Sequence, residues 1–237
     1  MQVEIWSDFA CPFCYIGKRR FEKALEEFAH KDAVEVIYRS FELDPNSPKH
    51  VPHDVYDMLS SKYGMSRTEA ISMNQQLSRQ AAADGLDFQF DQLVLTNTFD
   101  AHRLQHLAAR AGKGAQMAEL LFRGYFTKGQ NLSDPILLAD LAAEAGLDRE
   151  DALAALSGAQ FGDKVREDEG YARQLGIRGV PYYVINRKHA MSGAQPVSSY
   201  LNALQMAWQD QQAVTAEASS EAGDAACADG VCVVPEK

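Results

Sequence analysis

The sequence predicts an α/β protein in which a small mixed domain is interrupted by a large all-helical insertion and followed by a C-terminal extension. Three observations carry this. Residues 2 to 43 read strand, cysteine pair, helix, strand; residues from about 52 to 175 carry helical signals almost throughout; strand character returns at Tyr182 and closes with a helix.

The elements follow in order. Val3 and Ile5 alternate with Gln2 and Glu4, and Trp6 follows, a short strand ending near Ser7. After "CPFC", Phe21, Ala24, Leu25 and Phe28 recur at the spacing of one buried helix face. "AVEVIYRSFEL", residues 33 to 43, is β-branched and aromatic and leaves through "DPNSP", a strand followed by a turn. Ser66 with Glu69 forms a capping-box start, and Gly85 stops that helix. "NTFDAHRLQHLAARAG" places Leu104, Leu107, Ala108 and Ala111 on one face and ends at Gly112. In "SDPILLADLAAEAG" Ser133 is the candidate N-cap, with Pro135 in the first turn and Gly146 past the end; "DREDALAALSG" repeats the scheme. A helix from about 160 to 175 stops at Gly176. Residues 182 to 185 and 189 to 192 flank a polar "NRK" turn as a hairpin, and Tyr200, Leu201, Leu204 and Trp208 give a closing amphipathic helix. Beyond about Gln211 few bulky residues remain, so a mobile tail is expected there. With the helical block removed, the order of elements is that of a thioredoxin domain. The expected division is residues 1–45 and 170–210 for that domain, 46–169 for the helical insertion and 211–237 for the tail.

Composition narrows the function. A hydrophobic fraction of 46% and a charged fraction of 24% are those of a globular protein, and no apolar run is long enough to span a bilayer. The net charge of −10 argues against nucleic acid or an anionic membrane as partner. "MQVEIWSDFA" enters a strand pattern directly, without the basic start and apolar stretch of a secretory signal, so the expected location is cytoplasmic. In that compartment cysteine pairs are catalytic, redox-sensing or metal-binding more often than structural.

Cys11 and Cys14 stand two residues apart, with Pro12 and Phe13 between them, where the first strand becomes a helix. Such a pair can close a disulfide, hold half a metal site or fill a core; a strand before and an amphipathic helix after favour redox chemistry. At the helix N-terminus the dipole and unpaired N–H groups stabilise a thiolate, so Cys11 is expected to be exposed, ionised and nucleophilic. Cys14, one turn on, is placed to attack a mixed disulfide and act as the resolving thiol. Pro12 suits the first turn because its missing N–H has no helical partner. Lys18, Arg19 and Arg20 add positive charge further along, which as exposed charge is screened and counts for little. Pro181, in "GIRGVPYYVI", enters an apolar strand, where by context alone it is an ordinary trans proline.

The stretches "SDFACPFCYIGKRRFEKAL", "NTFDAHRL" and "LGIRGVPYYVINRKHAMSGAQP" together resemble the DsbA-like thioredoxin-fold oxidoreductases, and within them the FrnE-like branch, over residues 2 to 208. The resemblance implies a thiol-disulfide oxidoreductase or isomerase with Cys11 as nucleophile and Cys14 as resolving cysteine. It implies that Pro181 is a cis-proline facing the dithiol and that the Val180 backbone pairs with an extended substrate. Asn97 and Thr98 are then either simple helix caps or part of the wall facing the dithiol. His102 and His106 lie one turn apart, but with no third ligand evident they read as core or surface histidines, and no metal site is expected. Tyr182 and Tyr183 read as core and cleft-lining aromatics. No organic or metal cofactor is implied; glutathione is a candidate co-substrate, glutathione or a thioredoxin-type reductant a candidate electron donor, and protein disulfides and thiols the candidate substrates.

The same superfamily holds kappa-class glutathione transferases and 2-hydroxychromene-2-carboxylate isomerases, which generally carry serine where this chain has Cys11. They supply the alternative function, a glutathione-dependent transferase or isomerase. A peptide-binding chaperone is the non-enzymatic alternative. Cys227 and Cys232 form a second pair, "CADGVC", in the extension. A turn at Ala228 to Gly230 would let them form an exposed, exchangeable disulfide that serves as an auxiliary redox pair; metal binding and no role at all are the competing readings.

Overall fold

The computed structural model describes the backbone of residues 1–223 and side chains through Ala213; Cys227 and Cys232 lie outside the described residues. Strand β1 (Gln2–Ser7) leads into helix α1 (Pro12–Glu27), and after a short 3₁₀ turn β2 (Glu35–Ser40) returns parallel to β1. The insertion follows as α2 (Val55–Tyr63), α3 (Arg67–Ala83), α4 (Phe99–Arg110), α5 (Gly114–Phe126), α6 (Pro135–Glu144) and α7 (Arg149–Ser157). Helix α8 (Gly162–Gln174) brings the chain back to the antiparallel strands β3 (Tyr182–Ile185) and β4 (His189–Ser192), and α9 (Val197–Gly223) follows. The sheet order is β2-β1-β3-β4. This is a thioredoxin-like fold of mixed α/β type carrying a helical insertion.

The alternation in β1 decides the layers. Val3 and Ile5 face α1 and α9, packing with Phe21, Ala24, Phe28, Tyr183, Tyr200 and Leu204. Trp6 faces the other way, onto Ala172 and Ile177 of the α8 region. A larger core fills the insertion and reaches Phe9, Cys11, Cys14, Tyr15 and Ile16 at the start of α1. The hairpin forms over the expected residues, with Asn186 and Arg187 both left-handed at φ 50° and 55°, the conformation that matches strand twist in a tight turn.

Local signals place most helix ends. Ser66 and Glu69 form the reciprocal capping box, and Gly85, Gly112, Gly146 and Gly176 adopt positive φ just past helix ends. Three expectations change. The N-cap of α6 is Asp134, which accepts from the Ile136 and Leu137 N–H groups. Pro135 occupies the first helical position, so the cap must be the residue just before it; Ser133 Oγ instead donates to the Lys49 carbonyl at 2.8 Å. Ala111 lies outside α4 and is exposed, not on the buried face. Finally, α9 does not stop near Gln211 but continues to Gly223. The stretch "QQAVTAEASSEAG" is poor in core residues yet rich in Ala, Glu and Gln, whose intrinsic helix preference does not depend on burial.

Candidate active site

Three turns of chain geometry build the site. β1 ends at Ser7 and the chain bends through Asp8, whose carbonyl accepts from the Cys11 N–H at 3.0 Å and whose Oδ1 accepts from the Ala10 N–H at 3.2 Å. Cys11 becomes the N-cap of α1 in an extended conformation, makes no side-chain capping bond, and is followed by Pro12 at the first helical position. Its thiol is therefore not taken up in capping the helix. Because β3 runs antiparallel to β1 with Tyr182 opposite Trp6, the residues just before β3 lie beside those just after β1. This brings Val180 and Pro181 to the dithiol. Their peptide bond is cis, and the Cys11 Sγ–H donates to the Val180 carbonyl at 3.6 Å.

Cys11 and Cys14 are both free thiols, and both are buried, at 4% and 2% exposure. The expectation of an exposed Cys11 is thus corrected: Phe9, Tyr15, Ala10 and Val180 join the same packed cluster as the two sulfurs. The exposed member of the motif is Phe13, at 45%. Burial pushes the Cys14 pKa well up, and its hydrogen bond to Cys11 and the charge of that neighbour add to the rise; the Ser7 hydroxyl and the Asp8 backbone N–H oppose it. The Cys14 thiol therefore holds its proton more tightly than an ordinary cysteine.

The positive charges of α1 also differ from expectation. Lys18 is buried, not exposed, and pairs with Glu22 of its own helix and Glu119 of α5; Arg19 shares Glu119, and Arg20 pairs with Asp84 at 2.8 Å. All three cations are paired with carboxylates, Lys18 and Arg19 sharing Glu22 and Glu119. Tyr15, stacked on Phe122 at 5.0 Å, donates to the same Glu119.

Of the two candidates at the start of α4, Asn97 caps the helix, its Oδ1 accepting from the Phe99 N–H at 2.9 Å and its Nδ2 donating to the Ser47 carbonyl. Thr98 makes no capping bond; it is buried with its hydroxyl on the Asp8 carboxylate. His102 is buried in the core, its Nε2 3.5 Å from Asp8 Oδ1, and His106 sits 3.2 Å from Asp168 Oδ2 and 3.1 Å from Ser40 Oγ. Tyr183 is buried beneath α1, whereas Tyr182 is partly exposed. Sequence reasoning passed over Asp8, the polar residue at the end of an apolar strand, and Gly17, a glycine inside a helix. The latter is a signal of close approach: a Cβ there would lie 2.7 Å from Tyr183 Oη and 3.1 Å from Pro181 Cγ.

A buried dithiol at the start of a helix, facing a cis-proline at the head of an antiparallel strand, defines a thioredoxin-fold thiol protein. Residues 2–205 match the family described as DSBA-like thioredoxin domain, and the chain belongs to that family of DsbA-like oxidoreductases. It is 46% identical to a probable DsbA oxidoreductase from Streptomyces coelicolor, whose crystal structure superposes with a TM-score of 0.84 over 88% of this chain and 90% of that one. It is 32% identical to the uncharacterized protein YwbO of Bacillus subtilis, over 78% of this chain and 86% of the relative. A 2-hydroxychromene-2-carboxylate isomerase shares the fold, with 18% identity and a TM-score of 0.66 over 92% of this chain and 98% of its own.

Proposed function

We propose that the protein is a thiol-disulfide oxidoreductase that reduces or isomerises protein disulfides through Cys11 and Cys14. The observation that supports this reading is the pair itself: two adjacent free thiols at a helix start, one of them against the carbonyl of a cis Val180–Pro181 bond. The Cys11 thiolate attacks one sulfur of a substrate disulfide, forming a mixed disulfide and releasing the other substrate sulfur as a thiolate. That step removes the charge on Cys11, one of the influences that hold the proton on Cys14. Cys14 can then lose its proton and attack Cys11 Sγ, closing the Cys11–Cys14 disulfide and releasing the second substrate thiol. Two electrons pass from dithiol to substrate, and glutathione or a thioredoxin-type reductant returns them. Val180 offers its backbone to an extended substrate segment, and exposed Phe13 forms the apolar rim. Work of this kind suits a reducing, cytoplasmic setting and needs no cofactor beyond the reductant. Cys227 and Cys232 would serve as an auxiliary pair.

A glutathione-dependent isomerisation would need no second sulfur, and Cys14 is what favours disulfide exchange over it. The test is a Cys14→Ser chain incubated with a disulfide peptide. A stable adduct on Cys11, seen by peptide mass, with loss of turnover is expected; an unaltered turnover of Cys14→Ser would overturn the reading.

A further inference from the structure

Asp8 and His102 have no part in those steps, yet both are almost fully buried behind the dithiol turn. Asp8 Oδ1 accepts from the Ala10 N–H at 3.2 Å, Oδ2 accepts from the Leu43 N–H at 2.7 Å, and His102 Nε2 lies 3.5 Å from Oδ1. One carboxylate therefore joins the turn that carries Cys11, the chain leaving β2, and helix α4 of the insertion. The His102 ring packs on Phe9 at 4.8 Å, and among the described residues its Nε2 has no hydrogen-bond partner, the Asp8 carboxylate standing 3.5 Å from it.

A carboxylate this deep needs a counter-charge or a proton. Burial alone would raise the Asp8 pKa; the His102 contact and charge, with the Leu43 N–H and Thr98, outweigh it and hold the group below the ordinary aspartate value. The other ionisable groups around the pair do not supply a counter-charge. Glu42, on the segment after β2, is raised by burial and bridged to Arg166, which also holds Glu169 of α8. The Tyr125 phenol of α5 is pushed up by burial and by Asp8 and stays neutral near pH 7. Cys14 is raised as described. An unbalanced Asp8 charge, three residues from Cys11, would oppose the thiolate.

We propose that Asp8 and His102 are positioning residues for the dithiol: the carboxylate fixes the turn that carries Cys11, and the His102 imidazolium balances its charge so that the Cys11 thiolate forms unopposed. The inference rests on the disulfide-exchange reading.

The test follows the rate of Cys11 alkylation by iodoacetamide against pH, read by peptide mass on the full chain. His102→Gln should move the midpoint up by about one unit, or roughly tenfold less thiolate at a fixed pH below it. Adding Asp8→Asn, which removes the unbalanced charge, should bring the midpoint back. A midpoint that does not move in His102→Gln, or that stays displaced in the double variant, refutes the proposal. If the wild-type thiol reacts no faster than the unfolded chain at neutral pH, it is the disulfide-exchange reading that fails. A second measurement needs no variant: linkage requires that a thiolate which feels His102 raise the His102 titration midpoint in return. The His102 ring resonances should titrate at higher pH in the dithiol than in the disulfide form, and identical titrations would overturn the proposal.

Discussion

Replacing Gly17 with alanine tests how tightly α1 is pressed against the cis-proline strand. The new Cβ would lie 2.7 Å from Tyr183 Oη, 3.1 Å from Pro181 Cγ and 3.4 Å from Tyr200 Oη. The first of these must open by more than half an ångström to reach an ordinary contact of about 3.4 Å. Neither phenol swings aside freely, because both rings are buried and packed on Phe21, at 5.6 Å and 5.8 Å between centroids. Two effects oppose each other. Alanine gains about 1 kcal/mol over glycine inside a helix, and overpacking a filled core costs about 1–3 kcal/mol. The crowding wins, and Gly17→Ala should lose about 1 kcal/mol in urea unfolding. Pro181 is one of the groups displaced, so insulin reduction should slow several-fold as well. Removing the nearest obstacle with Tyr183→Phe in the same chain should recover part of both losses, a coupling that a double-mutant cycle reads directly. A Gly17→Ala chain that is about 1 kcal/mol more stable with unaltered turnover would show slack between α1 and β3 and refute the reasoning.

Ser66→Ala breaks the capping box of α3 and should cost about 1 kcal/mol in urea unfolding without moving the alkylation profile of Cys11. Glu119 is held below the ordinary glutamate value: burial raises it, and Lys18, Tyr15 and Arg19 outweigh that. A depressed native pKa binds fewer protons than the unfolded chain, so its stabilisation is complete above the unfolded value near 4.3 and is lost as pH falls through the native one. Urea midpoints measured from about pH 6 to pH 2 should therefore fall less steeply in Glu119→Gln. At neutral pH that variant should also lose roughly 1–3 kcal/mol, since buried Lys18 keeps Glu22 alone. An acid limb as steep as that of the wild type would dismiss this assignment. Truncation after Gly223 removes Cys227 and Cys232; it should slow steady-state reduction driven by glutathione while leaving Cys11 alkylation unchanged, and equal rates would end the auxiliary-pair reading.

What was legible in the sequence depended on short-range rules. The hairpin could be read because alternation and a polar turn act within ten residues, and helix ends because a glycine past the last turn needs only its own φ. The motif "CPFC" could be placed at the start of α1 for the same reason. The burial of Lys18 was not legible, because the carboxylate that compensates it, Glu119, comes from a helix about a hundred residues away. Residue type did not separate Asn97 from Thr98 either. Both suit a cap, and only the fold brings Asp8 near enough to draw the Thr98 hydroxyl away from that role. His102 failed as a signal on similar grounds, since a histidine one turn from another carries no mark of the aspartate that β1 places beside it.

The division of α1 explains why the insertion and the dithiol cannot be treated apart. Phe21, Ala24 and Phe28, in and just after the later turns of α1, pack with Tyr183, Tyr200 and Leu204 between sheet and α9, whereas Tyr15 and Ile16 at its start pack with Phe122, Phe126 and Leu104 of the insertion. Cys11 and Cys14 fall in the second group. The sheet therefore supplies the cis-proline, but the helical block supplies much of the apolar surround that buries both sulfurs, and its His102 meets Asp8 of the turn after β1 behind them. Burial raises the cost of a thiolate, and the groups that bury both sulfurs come from the two parts together, so the setting of the dithiol is made at their boundary and not by the four residues of the motif alone.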